Sequence, residues 1–419
     1  MQNLILDLQD NGGGYLQAAV QVLNELLEQH DLLVYTEGQR ALNRVAPRFP
    51  SVVVRLRRGV FWHYLEELKT PPAVQTDSWQ PLVSMTGADV RRCAIRVLYY
   101  RGRMAVEFFH AVTDGTGGMI FAKSLAAEYI RLRYGAAVPC TDGVKDPDEP
   151  PREAEFVDRF QETAGPLAAP RDDRNVYRAQ GVTEPDRFLH VTTGILDAEQ
   201  LLREAKARGV TVTAYLTAAL LQSLLRMQAE DEPLPGRRRP VKVQIPVNLR
   251  KLYGGETMRN FVAVANIGVD PRLGEYTFEE LVQLVHHQMA LAITEKNMRA
   301  IFTPNVNDER SRLLKIVPLG VKNLVMRMVF DAVGERVASL SLSNLGAVRL
   351  PEAMARYVSR VEFVLGAQAT APYNCSVTSL AGKTYVNIVR NSVEPRLERA
   401  VFTALVQLGF HVKIESNDR

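Results

Sequence analysis

The segment 104–118 constrains this chain more than any other, because it joins an apolar run to one histidine, one aspartate and three glycines. Residues 104–109 are rich in branched and aromatic side chains, which predicts a buried strand. His110 and Asp114 follow with the spacing His-x-x-x-Asp-Gly, and the glycines separate them from an apolar segment, 119–134, that predicts a helix. We therefore expect His110 at the end of a strand, where α/β folds commonly place their chemistry.

The residue types in this segment suit general base catalysis. A neutral imidazole can take a proton from an alcohol near pH 7. A carboxylate four residues later can orient the ring or brace the loop, and glycines let the backbone approach a ligand. Two alternatives are a chance occurrence and a helical metal pair formed by His110 and Asp114. The glycines disfavour the metal pair because they would break the helix that it needs.

Length and composition exclude several classes of protein. A chain of 419 residues predicts two lobes, and a hydrophobic content of 46% with a net charge of +4 indicates a globular protein without a nucleic-acid partner. Cys93, Cys140 and Cys375 show no Cys-x-x-Cys spacing. We therefore expect no disulfide framework, no metal site and a cytoplasmic location. No continuous apolar run of about 18 residues occurs, so no membrane span is expected.

The string Phe-Phe-His-Ala-Val-Thr-Asp-Gly-Thr-Gly-Gly, residues 108–118, resembles the active-site segment of the CoA-dependent acyltransferase superfamily. This superfamily includes chloramphenicol acetyltransferase, the BAHD enzymes, nonribosomal-peptide condensation domains and alcohol acetyltransferases. Phe109 stands where condensation domains usually carry a first histidine, so the likeness favours the bacterial alcohol acetyltransferase branch. The resemblance implies an α/β (α+β) fold of two chloramphenicol-acetyltransferase-like lobes with an active-site tunnel between them.

Two further segments resemble the same superfamily. In residues 246–250, followed by 258–261, the resemblance implies that Arg250 pairs with Asp114 and supports the catalytic loop. The string Ser343-Asn344-Leu345-Gly346 resembles a segment near the tunnel floor, where the Ser343 hydroxyl and the Asn344 amide could donate to a tetrahedral oxyanion. A simple turn at this string is the alternative.

The resemblance implies transfer of an acetyl or other acyl group from acyl-CoA to an alcohol hydroxyl. His110 would act as the general base, with Asp114 and Gly115 in the same catalytic segment. Acyl-CoA would be a co-substrate, and no permanently bound cofactor or metal is implied. Two alternatives stay open: a non-catalytic or inactivated relative that serves as a binding or scaffold protein, and a condensation-type enzyme that forms amides with a carrier protein. The sequence does not fix the oligomeric state, and a monomer is compatible with it.

The amino-terminal segment has a different pattern from the rest of the chain. Residues 4–38 predict a strand, a Gly-rich turn, a helix over 15–29 and a second strand, which together form a βαβ-like unit. About the first 38 residues resemble a fragment of the tail-specific, carboxy-terminal processing serine peptidases, and the motif that carries the likeness is at residues 6–14. The part of that family that holds its catalytic Ser and Lys has no counterpart here, so we expect no peptidase activity. We expect residues 1–39 to be joined to the acyltransferase part by gene fusion or by misassembly, which would leave the first lobe without one element.

The remaining pattern predicts two lobes and a crossover. A stretch rich in Pro, Asp and Glu over 136–187 predicts the connection, so we expect an N-terminal lobe over 40–187 and a C-terminal lobe over 188–419. Residues 93–100 predict a strand that a turn at 101–102 joins to the strand before His110, which suggests an antiparallel pair. Asp197 is expected to cap the helix that follows it, with Gln200 three residues later. Trp62 and Tyr64 are expected in a core or a tunnel wall. The second lobe is predicted to contain strands at 188–196, 241–247, 261–269, 337–342, 361–369, 373–380 and 384–389, and helices at 197 onward, 214–227, 276–296, about 311–333 and 396–408.

Overall fold

The computed structural model describes residues 35–78, 82–168, 175–186, 188–311, 315–333, 337–366 and 372–418. Within these ranges the fold is mixed α/β with two lobes. The strands are β1 (Val54–Arg58), β2 (His63–Glu67), β3 (Gln75–Thr76), β4 (Ile95–Tyr100), β5 (Arg103–Phe108), β6 (His190–Asp197), β7 (Val241–Asn248), β8 (Val262–Val269), β9 (Leu340–Ala347), β10 (Tyr373–Leu380), β11 (Lys383–Arg390) and β12 (Lys413–Ser416).

Helices cover the sheets and connect the strands. The α-helices are α1 (35–45), α2 (Gly87–Arg92), α3 (Gly115–Tyr134), α4 (Arg159–Thr163), α5 (Ala198–Ala207), α6 (Val212–Asp231), α7 (Arg250–Tyr253), α8 (Phe278–Ala292), α9 (Glu295–Arg310), α10 (Leu319–Val333), α11 (Glu352–Ala355) and α12 (Arg396–Gln407). Short 3₁₀ segments occur at Ala46–Arg48, Glu153–Glu155, Pro235–Arg237 and Pro271–Leu273.

The first lobe is built around α3. An antiparallel hairpin, β1–β2, and a three-stranded sheet in the order β3-β4-β5 lie around it. The α3 side chains Phe121, Leu125 and Ile130 are fully buried, together with Leu42 of α1 and Ile95 of β4. The predicted antiparallel pairing of the strand before His110 is confirmed, because β4 pairs with β5 across a two-residue turn.

The second lobe contains a seven-stranded sheet in the order β12-β6-β11-β10-β9-β7-β8. Its pairs are antiparallel except for β9, which is parallel to both β7 and β10. The long helix α6 lies in the core, and its Tyr215, Leu220 and Leu221 are fully buried. Asp197 caps α5 by accepting a hydrogen bond from the Gln200 backbone nitrogen, as the sequence predicted.

The boundary that the sequence places at residue 187 stays a prediction. The hydrophobic core of the first lobe also contains residues from beyond that position. Met258, Met354, Val358 and Val361 belong to the same buried cluster as Phe121. The two lobes therefore share part of one core, and the contact is continuous rather than a hinge between separate bodies.

Several sequence predictions are wrong in the described ranges. Residues 35–38 are helical, so the second strand of the predicted amino-terminal unit does not form there, and the rest of that unit lies outside the described residues. The predicted helix 276–296 is two helices, because Thr294 caps a new helix at Glu295. Residues 361–366 form no strand, and 367–369 lie outside the described residues. Strand β12 was not predicted.

Trp62 and Tyr64 are not core residues. Trp62 is 42% exposed and Tyr64 is 54% exposed, at and beside the turn of the β1–β2 hairpin. The error arose because aromatic side chains are usually buried, whereas this hairpin buries Leu56 and Leu65 on its other face. The turn is therefore a surface feature rather than part of a tunnel wall.

No single helix in the described ranges is long and apolar enough to cross a membrane. The pair Ala198–Ala207 and Val212–Asp231 meets the length and composition criteria only when the two helices are taken together, and they are bent by 86°.

A buried ion pair joins the 3₁₀ segment Ala46–Arg48, which follows α1, to the crossover segment. Both oxygens of Glu155 accept hydrogen bonds from the Arg48 guanidinium, at 2.5 and 2.9 Å, and Lys145 Nζ donates to Oε1 at 2.8 Å. Burial alone would raise the pKa of Glu155, but the hydrogen bonds from Arg48 and Lys145 outweigh it and lower that pKa to about 2. The Glu155 carbonyl also accepts from the Met258 nitrogen at 2.7 Å, so this cluster extends to the second lobe.

We expect Glu155→Gln to lower the free energy of unfolding by about 3 kcal/mol at pH 7, because Arg48 would keep a buried charge without a counter-charge. The Glu155 pKa is depressed on folding, so the carboxylate stabilises the protein above its ordinary pKa of 4.5. That stabilisation is lost as the pH falls towards 2. Denaturant titrations across this range should therefore show that the free energies of unfolding of the two proteins converge in acid.

Glu199→Gln, which alters an exposed pair with Arg203, is the control and should change stability by less than about 1 kcal/mol. A gap between Glu155→Gln and the parent chain that is independent of pH would contradict the assignment.

Candidate functional site

His110 lies in the turn after β5, and Asp114 is the N-cap residue of α3. Asp114 Oδ1 accepts hydrogen bonds from the backbone nitrogens of Thr116 and Gly117, at 3.0 and 3.1 Å. Because these bonds satisfy free N–H groups of the first turn, the helix can begin at Gly115. The predicted helix start at residue 119 is therefore about one turn too late, and the glycines belong to the helix instead of preceding it.

The carboxylate of Asp114 is buried and accepts four hydrogen bonds. Besides the two at Oδ1, Oδ2 accepts from Arg250 Nη1 at 2.7 Å and from the Phe261 backbone nitrogen at 2.9 Å. The contact between Asp114 and Arg250 that the resemblance implied is thus present. A carboxylate offers about four acceptor sites. The Asp114 oxygens are therefore fully engaged by donors within the protein, and these bonds position the loop.

Other polar contacts join the same loop to the second lobe. Thr113 Oγ1 donates to the Met258 carbonyl oxygen at 2.7 Å. Asn248 Nδ2 donates to Thr116 Oγ1 at 3.0 Å, so the end of β7 is bonded to the first turn of α3. The loop that carries His110 is consequently held from both lobes, which fixes the imidazole at the seam between them.

The glycines of this segment are required by close packing and not by an unusual backbone conformation. None of the three has a positive φ. A Cβ on Gly117 would lie 2.5 Å from the Met258 carbonyl oxygen, and one on Gly115 would lie 2.8 Å from Leu345 Cδ2. A Cβ on Gly118 would meet an aromatic ring at the end of β5 at 3.0 Å. The absence of side chains therefore lets α3 approach the second lobe closely.

A cavity of about 510 Å³ lies beside His110 where the two lobes meet. The first lobe contributes β4, β5 and the start of α3, and the second lobe contributes Leu345 and residues 362–366. Most of the wall is apolar. The apolar lining residues include Leu82, Val83, Met85, Leu98, Ala105, Val106, Phe108, Phe109, Met119, Leu345, Phe363, Val364 and Leu365.

Two ion pairs lie at the wall beside the first-lobe sheet, where Asp77, Arg96 and Glu107 line the cavity. Arg96 Nη2 is 2.6 Å from Glu107 Oε2 across β4 and β5, and Arg103 Nη2 is 2.8 Å from Asp77 Oδ2. Burial raises the pKa of Glu107, and the nearby Arg96 opposes that effect. The charges of each pair balance, so this part of the wall is polar without a net charge.

His110 lines the cavity and is also exposed to solvent. Its Nδ1 lies 3.4 Å from Asn260 Nδ2, which is equally distant from the His110 carbonyl oxygen. No described residue forms a hydrogen bond with Nε2. The imidazole is therefore held weakly from one side, and Nε2 is the nitrogen that a ligand in the cavity can reach.

Ser343 and Asn344 lie in a strand and not in a turn, because β9 continues to Ala347. The register with β10 shifts between Asn344 and Gly346, so Leu345 is the bulged residue that lines the cavity. The Asn344 amide donates to Thr213 Oγ1 at 3.1 Å and accepts from the Gly346 nitrogen at 2.7 Å. Neither Ser343 nor Asn344 lines the cavity, and their oxyanion role stays a prediction.

The alternative of a metal pair gains no support from the described part of the chain. No group of three or more His, Cys, Asp and Glu side chains there is placed to hold a metal ion. The Asp114 carboxylate accepts four hydrogen bonds within the protein, so His110 and Asp114 are not arranged as two ligands of one metal ion.

Sequence reasoning missed four contributors to the site. They are the Asn260 amide, the Phe261 backbone nitrogen, the Leu345 side chain and the segment 362–366. Asn260 and Phe261 lie in the segment 258–261, which resembles the superfamily. The sequence therefore indicated that they lie near the site, but it did not indicate their contacts with His110 and Asp114. Leu345 lies in the string 343–346, which resembles a superfamily segment near the tunnel floor, but the bulge that brings its side chain to the cavity had no signal. Residues 362–366 had no signal of either kind, because a segment without regular structure places them at the cavity.

Comparison with solved structures defines the class of fold. The chain is similar to polyketide synthase associated protein 5 of Mycobacterium tuberculosis, with a TM-score of 0.54, 13% identity and coverage of 89% of this chain and 90% of that one. It is also similar to the first condensation domain of the CDA synthetase, with a TM-score of 0.50, 16% identity and coverage of 88% and 86%. The epimerization domain from the third module of tyrocidine synthetase B is similar as well, with a TM-score of 0.52, 10% identity and coverage of 89% of this chain and 88% of that one. The chain therefore has a condensation-domain-like fold.

A different family matches the amino terminus. The model of peptidase family S41 matches residues 1–88, which is a minor part of the 419-residue chain. The match extends the predicted peptidase likeness beyond residue 38, into the described hairpin. No match to the chain was found among curated proteins.

We expect Asp114→Asn to lower the free energy of unfolding by about 3 kcal/mol and to reduce activity with it. An amide cannot accept all four hydrogen bonds, and Arg250 would lose its counter-charge. Asp197→Asn is a matched control, since it alters an exposed N-cap that lacks an ionic partner, and Asn caps helices as well as Asp. Thermal and denaturant unfolding of both variants measure the effect. A stable but inactive Asp114→Asn protein would instead assign a direct chemical role to the carboxylate.

Substitution of Gly117 tests the packing of α3 on the second lobe. We expect Gly117→Ala to destabilise the protein by about 2 kcal/mol, because the new methyl group would collide with the Met258 carbonyl oxygen. Gly38→Ala is the control, since a Cβ at this position of α1 meets nothing within 4 Å, and alanine should stabilise the helix by about 0.5 kcal/mol or more. Equal gains in the denaturant midpoint for both variants would show that α3 does not need the close approach.

Proposed function

We propose that this protein transfers an acyl group from an acyl-CoA thioester to the hydroxyl of an alcohol, with His110 as the general base. The proposal rests on one observation above all: the imidazole lines a cavity at the seam of two lobes, on a loop that both lobes hold. The condensation-domain-like fold and the resemblance of residues 108–118 to the superfamily active-site segment support it.

In the proposed reaction, the hydroxyl oxygen attacks the carbonyl carbon of the thioester while His110 Nε2 takes the hydroxyl proton. A C–O bond forms and a tetrahedral oxyanion results. The C–S bond then breaks, and the imidazolium returns the proton to the thiolate, so the products are an ester and free CoA. General base catalysis of this kind contributes about 10²- to 10⁴-fold, and fixing both substrates in the cavity adds an entropic advantage.

Asp114 and Arg250 act in this proposal only through the loop. The carboxylate is saturated by its four donors, so it keeps His110 and the first turn of α3 in place. Gly115 contributes by leaving room for Leu345 beside the cavity. The oxyanion role of Ser343 and Asn344 stays a hypothesis, because neither residue lines the cavity and the Asn344 amide donates to Thr213.

The second candidate is condensation-type amide formation on a carrier protein. The similarity to a condensation domain favours it, whereas Phe109 in place of a first histidine favours transfer to an alcohol. In either case the donor is a thioester and no resident cofactor takes part. We also propose a cytoplasmic location, which the three free cysteines support.

The test is acyl transfer by His110→Ala. Release of free thiol from acetyl-CoA should be measured with a panel of alcohols, and the variant should lose at least about 10²-fold of kcat with an unchanged melting temperature. His411→Ala, which alters an exposed histidine on the loop before β12, is the matched control and should keep full activity. Full activity of His110→Ala would overturn the base assignment. Turnover with an acyl carrier protein and an amine, but not with free acetyl-CoA, would favour the second candidate.

A further inference from the structure

The described surface carries eight exposed apolar side chains in two neighbouring segments, whereas exposed apolar residues usually occur singly. These segments are the turn of the β1–β2 hairpin and one side of α10 with the residues just before that helix. We call this cluster the hairpin–helix surface, and its members are Val60, Phe61, Trp62, Ile316, Val321, Leu324, Val325 and Met328. The exposed fractions of these residues range from 41% for Phe61 to 71% for Val60.

The hairpin and the helix form one continuous surface. The Leu319 nitrogen donates to the Val60 carbonyl oxygen at 3.0 Å, and Lys322 Nζ donates to the Phe61 carbonyl oxygen at 2.9 Å. The Lys322 ammonium also lies 3.4 Å from the centre of the Trp62 ring. The start of α10 is therefore fixed to the hairpin turn.

The exposed residues of α10 follow helical periodicity. Val321, Leu324, Val325 and Met328 have the spacing i, i+3, i+4 and i+7, which places them on one side of the helix. Leu319, at the start of the same helix, is buried. The helix therefore uses its first residue to attach to the protein and presents an apolar stripe outward.

The residues of the hairpin turn and of the exposed side of α10 are bordered mainly by basic side chains. Residues 51–65 and 315–330 contain six basic residues and no acidic one, and the acidic residues Glu66, Glu67 and Asp331 follow these segments. Arg58 and Lys315 are exposed. Arg55 and Arg57 pair with Glu66 on the neighbouring strand, so they contribute less. An apolar face bordered by cations is typical of segments that lie in a membrane interface.

We propose that the hairpin–helix surface binds a lipid bilayer that contains anionic phospholipid. The apolar side chains enter the boundary between headgroups and acyl chains, with Trp62 at the depth that this side chain favours. Arg58, Lys315 and Lys322 contact the anionic headgroups, and each basic residue near such a surface adds to the attraction. The protein binds from one side of the bilayer through this surface.

A second copy of the chain fits this surface less well. A twofold contact brings the same patch of both copies together. Arg58, Lys315 and Lys322 of each copy would then face one another, and Glu66 of the same hairpin is already paired with Arg55 and Arg57. Such like-charge contacts oppose association. Anionic headgroups supply the missing negative charge.

The lipid-binding surface shares a wall with the cavity. Leu56 and Leu65, on the inner face of the hairpin, pack against the same buried apolar cluster as Met85 and Phe109. Met85 and Phe109 also line the cavity beside His110. Membrane binding through the hairpin therefore holds the cavity close to the bilayer surface, where an apolar ligand would be concentrated.

The experiment is co-sedimentation of the full 419-residue chain with vesicles. Phosphatidylcholine vesicles that contain phosphatidylglycerol should sediment the protein, pure phosphatidylcholine vesicles should bind at least about tenfold more weakly, and added salt should weaken binding to the anionic vesicles. The triple variant Trp62→Ser, Leu324→Ser, Met328→Ser should bind the anionic vesicles at least about tenfold more weakly than the parent chain. Its matched control is Leu202→Ser, Leu273→Ser, Leu291→Ser, which removes three exposed leucines elsewhere and should bind like the parent.

A charge variant and a spectroscopic readout keep the test independent of any loss of folding in the triple variant. Arg58→Glu combined with Lys315→Glu should weaken binding to anionic vesicles by about tenfold or more while the melting temperature stays unchanged. In a Trp79→Phe protein, Trp62 is the single tryptophan, and its emission should shift to shorter wavelength when anionic vesicles are added.

Three results would overturn the proposal. The first is the absence of sedimentation with anionic vesicles, and the second is binding that the triple and charge variants leave unchanged. The third is a concentration-dependent dimer, seen by light scattering, that the triple variant abolishes and that vesicles do not compete with. That result would assign the hairpin–helix surface to self-association.

Discussion

The carboxylate of Asp114 is the group on which the arrangement of this site depends. Two of its hydrogen-bond donors are backbone nitrogens of α3 in the first lobe, and two come from Arg250 and Phe261 in the second. A buried charge is tolerated only when it is paired and fully bonded. The same contacts that satisfy Asp114 therefore also cap α3, lock the two lobes together and place His110 beside the cavity.

Parts of this arrangement could be predicted from the sequence because they follow from local rules or from the resemblance. The strand before His110, the antiparallel pairing of β4 with β5 and the cap at Asp197 are local patterns. The contact between Asp114 and Arg250 joins residues 136 positions apart, and only the resemblance pointed to it. The start of α3 was misjudged because glycine disfavours helices in general. Here the first turn of α3 packs closely against Met258 and Leu345, and this contact favours glycine at Gly115 and Gly117.

The remaining errors concern features that depend on tertiary contacts. Leu345 reaches the cavity through a bulge in β9, and no sequence pattern marks a bulge of this kind. Residues 361–366 have the apolar composition of a strand but form a cavity wall without pairing. Trp62 has the composition of a core residue and lies on the surface, where apolar and basic side chains meet. The type of a side chain sets its tendency to be buried, whereas the packing of neighbouring helices and strands determines whether that side chain is covered.

The central claim is that His110, and not Asp114, contacts the reacting hydroxyl. The most direct measurement is a crystal structure of the protein with CoA and an unreactive analogue of an accepted alcohol. The account predicts the alcohol oxygen within about 2.6–3.2 Å of His110 Nε2, with all four hydrogen bonds of Asp114 intact. An alcohol oxygen bonded to the Asp114 carboxylate, or bound outside the cavity at the seam of the lobes, would contradict it.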